Sequence, residues 1–117
     1  MWDPVMVKKI TLNSDQSVLG DVESFCQRFA SENSIPEETL DGALIAITEL
    51  VNNAIIHGNK NDKNKKVNLS LDRLGSDLII QVTDEGPGFD EKDLSDPTSE
   101  ENLYKTSGRG VYIVKHM

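Results

Sequence analysis

The stretch Glu49-Leu-Val-Asn-Asn53-Ala-Ile-Ile-His57-Gly58-Asn59 closes the most regular apolar pattern in the chain. Leu40, Ala43, Leu44, Ile47, Leu50, Val51, Ala54 and Ile55 recur at helical spacing. Before them, Ser34-Ile35-Pro36-Glu37-Glu38 reads as a helix start, with proline and two acids suited to a first turn. At ~100° per residue the apolar stripe covers one side, and Glu49 lies almost opposite it with Asn53 one turn further along the same second face. Ile45, Ala46 and Ile56 fall near that face, which predicts that it is partly covered. A carboxylate and an amide at i, i+4 under cover suggest a site. On an ordinary amphipathic helix the same pair is simply solvated, and taken alone these residues favour that reading.

Downstream, Gly58 ends the helix, and Asn59 to Lys66 reads as a polar, lysine-rich, mobile loop carrying no core residue. Val67, Leu69 and Leu71 alternate with Asn68, Ser70 and Asp72. After a turn at Gly75-Ser76, the run from Leu78 to Val82 continues in the same style, which predicts an antiparallel hairpin. Asp84 shares its parity with Leu78, Ile80 and Val82, so it ends a row that faces the core. A carboxylate there needs a partner, either a backbone amide of the Asp84-Glu85-Gly86 turn or an amino group on a ligand. Gly86 and Gly88 permit a sharp turn and a close approach. Phe89 to Ser107 has little regular pattern, and a stretch of that length in a small domain suggests a lid or disorder. Gly108-Arg109-Gly110 then opens a last apolar segment, Val111, Ile113 and Val114, read as a helix whose N-terminal amides form an anion site. Upstream, Met6 to Leu12 reads as a strand. Asn13-Ser14-Asp15 supplies cap residues for a helix with Val18, Val22, Phe25 and Phe29 on one side.

The chain has 117 residues, 12 Lys plus Arg against 20 Asp plus Glu, a formal charge of −8 and 37% hydrophobic residues. This fits one small domain over residues 1–117, with no repeat or linker. The acidic balance argues against an electrostatic nucleic-acid binder and favours protein or metal-nucleotide partners. No apolar run approaches the ~20 residues that span a bilayer, and Met-Trp-Asp-Pro at the start lacks a signal-peptide pattern, so no membrane contact and a cytoplasmic location are expected. Cys26 is the only cysteine, which excludes an internal disulfide or a cysteine-based zinc site and fits helix packing.

Taken together, three motifs resemble the boxes of the GHKL (Bergerat-fold) ATPases. The Glu49 to Asn59 stretch resembles the N box, Asp84-Glu-Gly86-Pro-Gly88-Phe the G1 box, and Ser107-Gly108-Arg109-Gly110-Val-Tyr-Ile-Val the G2 box. The Asn-Ala-Ile-Ile-His-Gly wording and a short lid are similar to the anti-sigma-factor serine kinases. The resemblance implies an α+β fold: a two-layer α/β sandwich with helices on one face of a mixed, mainly antiparallel sheet and ATP beneath a lid of residues 91–107. It implies that Glu49 is the general base, Asn53 holds Mg²⁺, and Asp84 accepts from the adenine amino group. Gly86 and Gly88 would let the chain pass close to the nucleotide, and Gly108, Arg109 and Gly110 would line the phosphates, although Arg109 also reads as a solvated residue. His57 and Asn59 would be near the site but secondary, His57 reading equally as a favourable charge at a helix C-terminus. The implied function is an ATP-dependent serine kinase and anti-sigma factor that phosphorylates a STAS-domain anti-anti-sigma protein and binds a sigma factor, with a homodimer possible. Two other readings are an ATP-binding regulatory module without transfer, and a detached histidine kinase catalytic domain. The last needs a phosphoacceptor on a separate chain, because only His57 and His116 exist here. Members of the anti-sigma branch continue past the G2 helix into further strand, so the chain reads as trimmed at its C-terminus.

Overall fold

A computed structural model describes residues 8–86, 102–106 and 110–117. The elements are β1 (Lys8–Asn13), a 3-10 turn (Gln16–Val18), α1 (Leu19–Glu32), α2 (Glu37–Asn53) running on into a π turn (Ala54–Gly58), β2 (Lys66–Leu74), β3 (Asp77–Asp84), β4 (Asn102–Thr106) and β5 (Gly110–His116). The five strands form one sheet in the order β1-β2-β3-β5-β4, and every described pairing is antiparallel. The architecture is α+β, two helices on one face of a mainly antiparallel sheet, as the sequence resemblance implies; the expected mixed ladder is not seen among the described residues.

The apolar rows fall where their period places them. Val67, Leu69 and Leu71 of β2, Leu78, Ile80 and Val82 of β3, and Val111 and Ile113 of β5 are buried against Val22, Cys26 and Phe29 of α1 and Ala43, Ile47, Leu50 and Val51 of α2. The alternate residues Lys9, Thr11, Asn68 and Gln81 are exposed on the other face of the sheet. Asp15 caps the 3-10 turn by accepting from the Ser17 amide at 3.0 Å, and this backbone bond holds its carboxyl below the ordinary aspartate value. At the other end of the β2–β3 hairpin, Arg73 donates through Nη1 to the carbonyls of Asn33 at 2.5 Å and Ser34 at 3.0 Å, and through Nε to that of Gly75 at 2.9 Å. One guanidinium thus fastens the α1–α2 corner, where Ser34 has φ of +55°, to the hairpin turn.

Three expectations are corrected. The last apolar segment is the strand β5 instead of a helix: Val111 and Ile113 alternate inward, and its β-branched residues suit a pleated ladder between β3 and β4. Residues 102–106, inside the stretch read as patternless, form β4, while 87–101 and 107–109 lie outside the described residues. Finally, Glu37–Gly58 forms a 22-residue helix that is long and apolar enough to cross a membrane, which the search for an apolar run did not anticipate. Its apolar stripe packs in the core, so the length and composition of this helix are those of a central core helix.

Candidate functional site

The site elements meet at one end of the sheet, where α2 runs out and β3 ends. Glu49 is half-buried on α2, and Asn53, one turn on, is only 6% exposed. The face they share is partly covered, as its composition predicts: Ala46 is buried and Ile56 half-buried, although Ile45 is exposed. Asn53 Nδ2 is buried and makes no hydrogen bond to the described residues. A buried carboxamide in that condition costs free energy unless a partner beyond the described residues completes it.

The helix then changes pitch. The Asn59 amide donates to the Ala54 carbonyl at 2.8 Å, five residues back, and the Asn61 amide to that of Ile55 at 2.8 Å, with Lys60 and Asn61 at φ of +53° and +60°. This wide turn delivers Gly58 against the end of β3. A Cβ added at Gly58 would stand 2.3 Å from Asp84 Oδ2, and one added at Gly86 would stand 1.6 Å from the Gly58 carbonyl oxygen. Glycine at 86 lets the β3 turn touch the helix end backbone to backbone, and glycine at 58 leaves the space that the Asp84 carboxylate fills.

Asp84 is buried at 6% exposure, and its Oδ1 accepts from the Gly86 amide at 2.9 Å. The local backbone partner foreseen for this carboxylate is therefore present, and it fixes the direction of the carboxyl group. Gly110 opens β5 opposite Thr83, so the start of β5 lies one residue from Asp84. Because Gly110 begins a strand, the helix-terminus argument for anion binding does not hold there. Gly88, Gly108 and Arg109 lie outside the described residues. His57 is exposed in the π turn, and His116 lies on β5 paired with Asp77 at 2.5 Å.

The sequence reading missed a polar hub. Asn59, assigned to a loop without core residues, is 1% exposed. Its Nδ2 donates to Ser14 Oγ at 2.8 Å and to the Lys66 carbonyl at 3.0 Å, and its Oδ1 accepts from the Glu85 amide at 2.9 Å. Ser14 Oγ in turn donates to the Lys65 carbonyl at 2.6 Å, and the Glu85 carboxylate accepts from the Lys66 amide. The loop itself is a series of hydrogen-bonded turns, the Asp62 amide donating to the Asn59 carbonyl and the Lys65 amide to that of Asp62, each at 3.0 Å. An amide directly after a helix-ending glycine was the available signal.

Residues 12–117 match the histidine kinase-like ATPase domain family. The chain belongs to that family. As a member of it, this ATPase domain is a binder of ATP. The chain is also similar to an anti-sigma F factor of Shouchella clausii (strain KSM-K16), 30% identical over 112 residues that make up 90% of this chain and 76% of that protein. This likeness agrees with the wording of the N box and places the domain in the anti-sigma branch. The fold is similar to part of the crystal structure of the RsbU and RsbW domains of a Mycobacterium tuberculosis protein, with a TM-score of 0.66 and 19% identity over 92% of this chain and 31% of that one.

Proposed function

We propose that this chain is an ATP-dependent serine kinase and anti-sigma factor that phosphorylates a STAS-type anti-anti-sigma protein and switches between it and a sigma factor in the cytoplasm. The observation that carries the proposal is the joint between the two halves of the site. Glu49 and Asn53 sit one turn apart on the helix whose end abuts the Asp84–Gly86 turn, so a carboxylate, a buried amide and a base-reading carboxylate are held as one unit.

Each residue takes a role that its environment suits. Asp84 accepts from the adenine amino group, and Gly86 with Gly88 keeps the backbone close to the nucleotide. Gly108, Arg109 and Gly110 line the phosphates; the lid expected over residues 91–107 cannot include 102–106, which belong to the sheet as β4. Glu49 accepts the proton of the substrate serine as its Oγ attacks the γ-phosphorus. The bond from that phosphorus to the bridging oxygen breaks, and ADP leaves. Such transfer depends on positioning and charge neutralisation more than on covalent help from the protein.

Mg²⁺ suits the donor set. Asn53 would offer its carboxamide oxygen to the ion and its buried Nδ2, which has no partner among the described residues, to a phosphate oxygen, and no group of three or more His, Cys, Asp or Glu among the described residues competes for a metal. Mg²⁺ keeps most of its coordination for water and phosphate oxygens, so one protein ligand is sufficient. When bound, the ion neutralises phosphate charge.

The test is phosphotransfer: the protein with labelled ATP and Mg²⁺ is mixed with cytoplasmic extract of the source cell, and labelled proteins and residues are identified. Label stable to acid on a serine of a small STAS-like protein is expected. ATP binding without any labelled protein would overturn the kinase reading in favour of a regulatory module.

A further inference from the structure

We propose that Asn59 is a positioning residue for nucleobase recognition: it sets the Asp84 carboxylate by holding the next peptide group, and so determines adenine selectivity without touching the nucleotide. The inference rests on the ATP site proposed above and on the observed hydrogen bonds around the end of β3.

Two peptide N–H groups follow the Asp84 side chain. The Gly86 amide is taken by Asp84 Oδ1 at 2.9 Å and the Glu85 amide by Asn59 Oδ1 at 2.9 Å. The first bond is internal to the turn and would move with it. The second anchors the turn to a separate segment, as the bond from the Lys66 amide to the Glu85 carboxylate also does, and it is the one made by the peptide group that directly follows Asp84. Asn59 can serve as that anchor because its own position is over-determined. It is 1% exposed, both Nδ2 hydrogens are committed to Ser14 Oγ and the Lys66 carbonyl, and its backbone amide is bonded to Ala54. The carboxamide therefore cannot rotate without breaking two donor bonds to gain none. The same residue follows Gly58, against whose carbonyl Gly86 is packed. The end of the helix bearing Glu49 and Asn53 thus carries the group that orients Asp84. A base-reading carboxylate discriminates by direction, since adenine presents an amino donor where guanine presents a carbonyl, and a small misalignment erodes that difference.

The experiment measures calorimetric affinities for ATP and for GTP, with Mg²⁺, in the wild-type chain, Asn59→Ala, Ser14→Ala and Arg73→Ala. Arg73→Ala removes hydrogen bonds at the far end of the hairpin and controls for loss of stability alone. Wild type and Arg73→Ala should prefer ATP by the same factor, whereas Asn59→Ala should lower that preference roughly tenfold, as for the loss of one aligned polar contact in a buried site. Ser14→Ala removes one of the two acceptors that hold the Asn59 carboxamide while leaving its Oδ1 for the Glu85 amide, and should lower the preference by a smaller factor; it also keeps the test open if Asn59→Ala does not fold. An unchanged ATP-to-GTP ratio in Asn59→Ala, or an equal fall in Arg73→Ala, would overturn the positioning role while leaving the ATP site intact. A wild-type chain that binds neither nucleotide would instead overturn the site on which the inference stands.

Discussion

Glu49 and Asp84 carry different parts of the proposed reaction, and their substitutions should separate accordingly. Glu49→Ala should keep ATP affinity while lowering phosphotransfer by roughly 10²–10⁴-fold, the usual weight of a positioned general base. Asp84→Asn should weaken ATP binding itself by roughly tenfold or more, because a charge-assisted hydrogen bond is lost. Calorimetry and transfer assays on both variants check the pair; equal loss of binding in the two would show the roles to be wrongly assigned. Cys26 provides a residue-scale test of the core. It is wholly buried in α1, and desolvation pushes its thiol up to about 12 from an ordinary 9.0. The folded chain keeps a proton that the unfolded chain gives up, so stability is untouched below pH 9 and falls as pH climbs from there towards 12. Native protein should resist iodoacetamide at neutral pH and react once urea unfolds it, read by mass spectrometry.

Glycines at the ends and bends of elements have opposite expected effects. Gly75 opens the two-residue β2–β3 turn at φ of +59°, so Gly75→Ala should cost roughly 1–2 kcal/mol through the left-handed penalty. Gly20, exposed in the first turn of α1 with nothing within 4 Å of an added Cβ, should accept alanine with a gain of up to about 1 kcal/mol. Urea midpoints of the two variants should move in opposite directions. Elements whose signal is local were legible in the sequence: the stripe of α2, the alternation of β2 and β3, and the Gly75-Ser76 turn all stand where their periods put them. The last segment was not, because Val111, Ile113 and Val114 fit a short helix or a buried strand equally well, and the choice is made by the open ladder of β3 beside it. Asn59 was hidden for a related reason. A polar residue is buried only when partners distant in sequence gather round it, and Ser14, Lys66 and Glu85 come from three separate segments.

Across the whole molecule, ATP should act as a structural tie as well as a substrate. A ligand that binds only the folded chain at about a hundred times its Kd adds roughly 2.7 kcal/mol, which for a domain of this size raises the thermal midpoint by about 10 °C. Differential scanning fluorimetry with ATP and Mg²⁺ should show that shift in wild type and about half of it or less in Asp84→Asn. The helix-on-sheet layering and the order of the boxes were legible because the chain's apolar periods and glycine punctuation are strong. The contact between Gly58 and Gly86 was not, since no sequence period reports that two backbones meet. Asp84 extends the inward row Leu78, Ile80 and Val82 of β3. A slip of one residue in that strand would bury Thr83 in its place and turn the carboxylate to the opposite face, together with every apolar side chain of the row. On the adenine role proposed for Asp84, misfolding by register and blindness to adenine are a single event, and capture of the nucleotide would certify that the sheet has been assembled in its proper alignment.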